Sequence, residues 1–336
     1  MKKFKRLFIS SSFICILTTT GLFFSCGDSG VTQLQNSGSI SLSGLKPIDK
    51  NTTGTYELWG SIESGADHDE NAFRSMGRFA VTQTGEITDT SGGSFSPNLG
   101  RISNINNVSD VIVTIQPPGY FDTIPSNIKI IGGPKQIQGG ELVFTLSMSY
   151  SDILPPSSLF SSSTAAALLA SPSTGMASLD YKKGLWFAAD TNANTPGLTV
   201  PVLADTTEWT YQAWVVNDSN PVYIYNMGRF DRSNAQDNNQ QCQQNPPQMT
   251  WLLPGHDWIL ANCPGGTLPD INDLATGYSV FITLEPRYEQ GSELTVPFYI
   301  KLFTAPVSSG VFGTVFSLLN VSSSNLPSGE LRLKAN

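Results

Sequence analysis

The chain has 336 residues, and its 27 Asp and Glu outweigh 19 Lys and Arg for a formal net charge of −8. Only 14% of residues are charged, while Gly, Pro, Ser, Thr and Asn are plentiful, a balance that suits short strands joined by turns and an all-β fold. So acidic a chain lacks the electrostatic footprint for nucleic acid, and it has no polar grip on anionic lipid headgroups.

At the amino terminus, Lys2, Lys3, Lys5 and Arg6 precede an apolar stretch over residues 7–24, interrupted by serines at 10–12 and threonines at 18–20. That stretch is too polar and too short for a comfortable membrane span and reads as an export leader, residues 1–25. Its end, Leu22-Phe23-Phe24-Ser25-Cys26 followed by Gly27-Asp28-Ser29-Gly30, resembles the signal peptide of bacterial lipoproteins. Phe24 departs from that pattern, which usually has a small residue there. The resemblance implies that Cys26 becomes the lipidated first residue, and two or more acyl chains hold a protein stably on a membrane. An ordinary secretory leader would also take the chain out of the cytoplasm. No later stretch approaches about 18 uninterrupted apolar residues, so the lipid is the expected membrane contact. Loss of the leader leaves 15 basic against 27 acidic residues.

Residues 26–37 form a polar tether, and strands follow. Tyr56-Glu57-Leu58-Trp59 alternates with a two-residue period, as do Val111, Val113 and Ile115 against Ile112 and Thr114. Between the first strands lies Asp67-His68-Asp69-Glu70-Asn71, which sets Asp67, Asp69 and Asn71 on alternate positions, as calcium loops do. Ala72 and Arg78 stand where such a loop has its glycine and bidentate acid, so a polar hairpin turn competes with calcium. Asp190, Asn192 and Asn194 repeat the spacing with the same defect. Further strands are expected over 128–130 and 141–148. Residues 151–180 are a Ser-, Ala- and Pro-rich linker with one short helical turn at the Ala/Leu run.

Beyond residue 205 the landmarks recur in order. Tyr211-Gln212-Ala213-Trp214 answers Tyr56-Glu57-Leu58-Trp59, and Met227-Gly228-Arg229-Phe230 answers Met76-Gly77-Arg78-Phe79. Thr283-Leu284-Glu285-Pro286 answers Thr114-Ile115-Gln116-Pro117, and Ile300-Lys301-Leu302 answers Ile128-Lys129-Ile130. The recurrence predicts a duplication: two tandem immunoglobulin-like β-sandwich domains, 38–150 and 181–336, with strands over 222–227, 296–302 and 314–320 in the second. Gly77 and Gly228 predict a bulge or close backbone approach, and Arg78 and Arg229 a structural pairing with a carboxylate such as Glu57 or Glu285. The offset between copies jumps from 151 at the Met-Gly-Arg-Phe words to 169 at the proline words, which places an insertion at 231–277 of the second copy.

That insertion carries Cys242, Trp251, Trp258 and Cys263. With Cys15 in the leader and Cys26 lipidated, Cys242 and Cys263 are expected to form a disulfide, worth roughly 3 kcal/mol in the chain-entropy model. Trp251 and Trp258 are candidate aromatic platforms for a glycan or peptide, and their ordinary alternative is packing the insertion onto its own sheet. Gly27-Asp28-Ser29-Gly30 has no domain before it to supply catalytic partners, and His68 and His256 are the chain's two histidines. No nucleophile elbow or phosphate loop occurs, and neither an enzyme nor a cofactor is expected.

The ordered words Tyr-Glu-x-Trp, Gly-Arg-Phe, Thr-x-Glu-Pro and Ile-Lys-Ile resemble the extracytoplasmic RskA-type domain of anti-sigma-K factors, over roughly 38–150 and 181–334. The resemblance implies a β-sandwich outside the cytoplasm. It does not carry anti-sigma activity, which belongs to a cytoplasmic helical domain and a transmembrane helix. Gln116 and Gln212 depart from the family words. The resulting expectation is a lipid-anchored, non-enzymatic envelope protein, on the outer membrane and facing the periplasm or the outside. Its role would be structural, adhesive or ligand-presenting. A glycan- or peptide-binding module built on Trp251 and Trp258, and a calcium-binding β-protein, are the alternatives.

Overall fold

The computed structural model describes residues 36–62, 72–120, 123–150, 153–172, 179–191, 195–204, 207–221, 223–238, 251–256, 271, 273–287, 296–307 and 311–335. Among them the fold is all-β, with two eight-stranded antiparallel sheets. The first takes its strands in the order β1 (Ser37–Ser43), β16 (Ser328–Lys334), β7 (Glu141–Ser147), β6 (Lys129–Gln138), β5 (Asp110–Gln116), β2 (Thr55–Ser61), β3 (Phe73–Val81) and β4 (Ile87–Asp89). The second runs β11 (Ile224–Phe230), β10 (Trp209–Asn217), β13 (Tyr278–Pro286), β14 (Lys301–Pro306), β15 (Phe316–Asn320), β8 (Ala165–Leu169), β9 (Leu185–Trp186) and β12 (Gly255–His256). Its end strands, β11 and β12, come into contact, so this sheet curls almost closed.

The central strands are buried on both faces, which explains their nearly continuous apolar sequences. Tyr56 and Leu58 of β2 join Val111, Val113 and Ile115 of β5 in the main core, while Trp59, Phe73 and Ile112 form a cluster on the opposite face. The run β3-β2-β5-β6-β7 and the run β11-β10-β13-β14-β15 have the same chain order, and the recurring words sit on matching strands of each. Both sheets bulge at the expected glycine. Register passes from Leu58↔Gly77 to Trp59↔Ser75 in one, and from Gln212↔Arg229 to Trp214↔Asn226 in the other. Gly77 and Gly228 have φ of 123° and 101°, where a side chain is strained.

Two strands lie where the sequence did not put them. The Ala/Leu run expected as a helical turn in a linker is β8, with Ala165, Ala167, Leu168 and Leu169 all buried. It pairs with β15 through Phe316↔Ala167 and with β9 through Leu168↔Trp186. The helical turn comes earlier, at α1 (Ser157–Ser162), which buries Phe160. Asn320 ties this connection down by donating to Phe160 O and Ser163 O, each at 2.8 Å. The last strand, β16, falls within the second repeat by sequence but inserts between β1 and β7 of the first sheet. Leu331 and Leu333 are fully buried there. The strand expected over 296–302 begins instead at Lys301.

These exchanges fuse the halves. One apolar core contains Tyr56 and Phe144 from the first sheet together with Phe187, Tyr211 and Phe303 from the second. The Tyr56 hydroxyl, 2.9 Å from Lys46 O, also meets the Tyr299 hydroxyl at 3.0 Å, and burial pushes both phenols up in pKa. Trp209 Nε1 donates across to Lys129 O at 3.0 Å. Gln35–Asn336 is accordingly a single compact unit. Among the described residues no helix is long and apolar enough to cross a membrane.

Candidate functional site

On the face of the first sheet away from the main core, β2, β3 and β5 assemble a polar cradle. The bulge at Gly77 sets Ser75 and Arg78 on either side of Glu57. Arg78 Nε lies 2.8 Å from Glu57 Oε2, and the Ser75 hydroxyl donates to Glu57 Oε1 at 2.6 Å. Arg78 Nη2 also donates to Tyr120 O at 3.0 Å. Behind them Trp59 Nε1 donates to Thr114 Oγ1 at 3.0 Å, and Gln116 Nε2 donates to the same oxygen at 3.1 Å. Above the cradle is an open cavity of about 370 Å3, lined by Glu57, Trp59, Ser75, Gly77, Arg78, Asn98, Arg101 and Thr123. The turn bearing Asn98 and Arg101 is pinned by Asn98 N donating to Met76 O at 2.7 Å and by Gly100 N donating to Asn98 Oδ1 at 3.0 Å.

The second sheet repeats the cradle with acid and amide exchanged. Trp214 Nε1 donates to Thr283 Oγ1 at 2.9 Å, and Arg229 Nε donates to Gln212 Oε1 at 2.9 Å. The acid stands on β13: Glu285 accepts from Thr283 Oγ1 at 2.5 Å and from Phe298 N at 2.9 and 3.1 Å. Burial pushes the Glu285 carboxyl up to about 7, against the opposing pull of those hydrogen bonds and of the Arg229 charge. Each cradle thus pairs one arginine with one acid and one amide: Glu57 with Gln116, then Gln212 with Glu285. Two buried carboxylates beside one guanidinium would repel and desolvate each other, and a single acid on either strand avoids that. The amides fit less well than the acids, for Gln116 Oε1 and Gln212 Nε2 are buried without a hydrogen-bond partner among the described residues.

The expected pairing of the recurrent arginines holds for Arg78 and Glu57. Arg229 bonds the amide of Gln212 and feels Glu285 by charge. Trp251 is partly buried, edge-to-face with Trp186 at 5.3 Å and 64°, beside Leu168, Ala188 and Leu253. Its ring packs the described segment 251–256 against β8 and β9 of the second sheet. Gly255 of β12 closes that contact by donating its N–H to the buried Asp237 at 3.0 Å. Trp258, Cys242, Cys263, Cys26, Asp67, Asp69 and Asn71 lie outside the described residues. Among the described residues no group of three or more His, Cys, Asp or Glu is placed to hold a metal ion.

Sequence reasoning missed Ser75, Asn98, Arg101 and Thr123. One signal for Ser75 was available: both copies place a small hydrogen-bonding residue two before the bulge glycine, Ser75 and Asn226, and each accepts that glycine's N–H, at 3.2 and 2.8 Å. The loop residues had none, because tertiary folding brings them to β2 and β3.

The fold is thus all-β, with two antiparallel sheets and a polar cavity on the outer face of the first. Comparison with protein-family models, curated proteins and solved structures gives no match.

Proposed function

We propose that this is a lipid-anchored, non-enzymatic bacterial envelope protein, descended from a duplicated immunoglobulin-like β-domain, that presents a ligand site on a rigid body. The observation that carries the ligand-presenting role is the open polar cavity over the Arg78–Glu57 cradle, mounted on strands whose other face lies in the shared core. Among the described residues its lining offers two guanidiniums, one paired carboxylate and hydroxyl and amide groups, which suits recognition of a polar ligand. Matching words on matching strands support the duplication. The envelope address rests on the leader and Cys26, and it accords with the resemblance to extracytoplasmic anti-sigma domains.

Fractionation of cells tests the anchor. The native protein is expected in the membrane fraction and detergent phase, and Cys26→Ala is expected to move it to the aqueous phase. Recovery of both in the aqueous phase overturns the anchoring.

A further inference from the structure

We infer that the cavity over the first cradle binds a sugar carboxylate, a single uronate unit. The inference rests on the ligand-presenting role proposed above and names its ligand chemistry. Charge comes first. Among the described residues the lining sets Arg78 and Arg101 against one acid, Glu57, an excess of one positive charge. Glu57 is already committed to Arg78 and Ser75, whereas Arg101 is exposed and makes no ion pair among the described residues. A guanidinium is the side chain best shaped for a carboxylate, because its planar fork donates two parallel hydrogen bonds. A ligand bearing one negative charge therefore balances the site.

The rest of the lining selects hydroxyl groups. Asn98 and Thr123 both donate and accept, and Ser75 and Glu57 keep accepting lone pairs, so a polyhydroxylated ligand meets partners around the cation. A fatty acid or an aromatic acid would desolvate these groups with nothing in return. The volume, about 370 Å3, lies at the small end of ligand pockets, which span about 300–1,000 Å3, and suits one sugar ring. Trp59 is fully buried and pinned through its indole N–H to Thr114, so it forms a fixed part of the wall. The second cradle supplies an internal control. There Arg229 is flanked by Asn238, whose side-chain oxygen accepts the Arg229 backbone N–H at 2.8 Å and whose own N–H donates to Arg229 O at 2.9 Å, and Gln212 stands at the place of Glu57 while the acid, Glu285, is on β13.

The test is calorimetric titration of the detergent-extracted full-length protein with D-glucuronate, D-glucose and acetate. Indole 15N spectra, in which Trp59 and Trp214 report the two cradles, are recorded alongside. Glucuronate is expected to bind at least about tenfold more tightly than either fragment and to shift the Trp59 resonance while leaving Trp214 in place. Arg101→Gln, at an exposed position, is expected to weaken glucuronate by about tenfold or more with an unchanged Tm, and Arg101→Glu to abolish binding. Equal binding of glucose and glucuronate overturns the uronate assignment while leaving a ligand site in the cavity. Unaltered glucuronate affinity in Arg101→Gln, a shift at Trp214 instead of Trp59, or no heat from any probe overturns the assignment of this cavity. The anchoring stands or falls separately, by fractionation.

Discussion

Glu285 makes the stability of the second sheet depend on pH in a direction opposite to that of most carboxylates. Its carboxyl is pushed from an ordinary 4.5 to about 7 by burial among β13, Thr283 and Phe298. The folded chain therefore holds this proton more tightly than the unfolded chain. Glu285 costs nothing below pH 4.5, and its penalty is fully present once pH has risen through 7. At about 1.4 kcal/mol per pH unit, the separation between the two values amounts to about 3 kcal/mol at pH 8. For a cooperative unit of this size, with an unfolding entropy of about 2.1 cal/mol/K per residue, that is about 5 °C in Tm. Glu285→Gln installs the amide that the first cradle already carries as Gln116. Scanning calorimetry of both proteins at pH 5 and pH 8 reads the effect directly. The wild type is expected to lose about 4 °C more than Glu285→Gln between the two pH values, because part of the penalty is already present at pH 5 and only the wild type gains a buried charge at position 285 by pH 8. An equal loss in both would refute the reasoning: the hydrogen bonds from Thr283 and Phe298 would then stabilise the carboxylate enough to cancel its desolvation.

Removing β16 is expected to unfold the first sheet although it deletes only the carboxy-terminal end of the chain. The truncation uncovers the edges of β1 and β7 and loses the burial of Leu331 and Leu333, at about 1.5–3 kcal/mol each, so loss of amide protection in β1 and β7 is the readout. Independent tandem domains would instead keep that protection. Glu57→Gln removes the carboxylate that Arg78 pairs with and is expected to cost about 1–3 kcal/mol in urea unfolding. Adding Gln116→Glu recreates the acid placement of the second sheet and should recover part of that loss; a double variant no more stable than Glu57→Gln would show that the cradles are not interchangeable. Phase partitioning of Cys26→Ala and the Arg101 titrations complete the set, each with the outcome given above.

Much of the scaffold was legible in the chain. The two-residue period of Tyr56 to Trp59 and of Val111 to Ile115 marked central strands, because alternation across a pleat is a local property of consecutive residues. Gly77 and Gly228 announced the bulges, since a backbone at φ near 100° tolerates little else, and the recurrent Arg78 announced a carboxylate partner that proved to be Glu57. The candidate site was half legible: Glu57, Trp59, Gly77 and Arg78 lie in the recurring words, Ser75 stands just before one, and Asn98, Arg101 and Thr123 come from loops with no pattern of their own. Trp251 was ambiguous by sequence between platform and packing, and in the structure its ring lies edge-to-face against Trp186.

By itself, then, the sequence determined the all-β class, the order of the strands carrying the recurring words, and the expectation that the recurrent arginines pair with a carboxylate. Only the tertiary structure decided which strand lies beside which. A run such as Ala165-Ala166-Ala167-Leu168-Leu169 is apolar at nearly every position and has no period to choose helix or strand, so its pairing with β15 and β9 made it β8. Likewise nothing local in Leu331 and Leu333 says that their partners are β1 and β7, far back in the chain. Strand pairing is settled by the edge that remains open and the core that remains to be filled, and both exist only after the rest of the chain has folded.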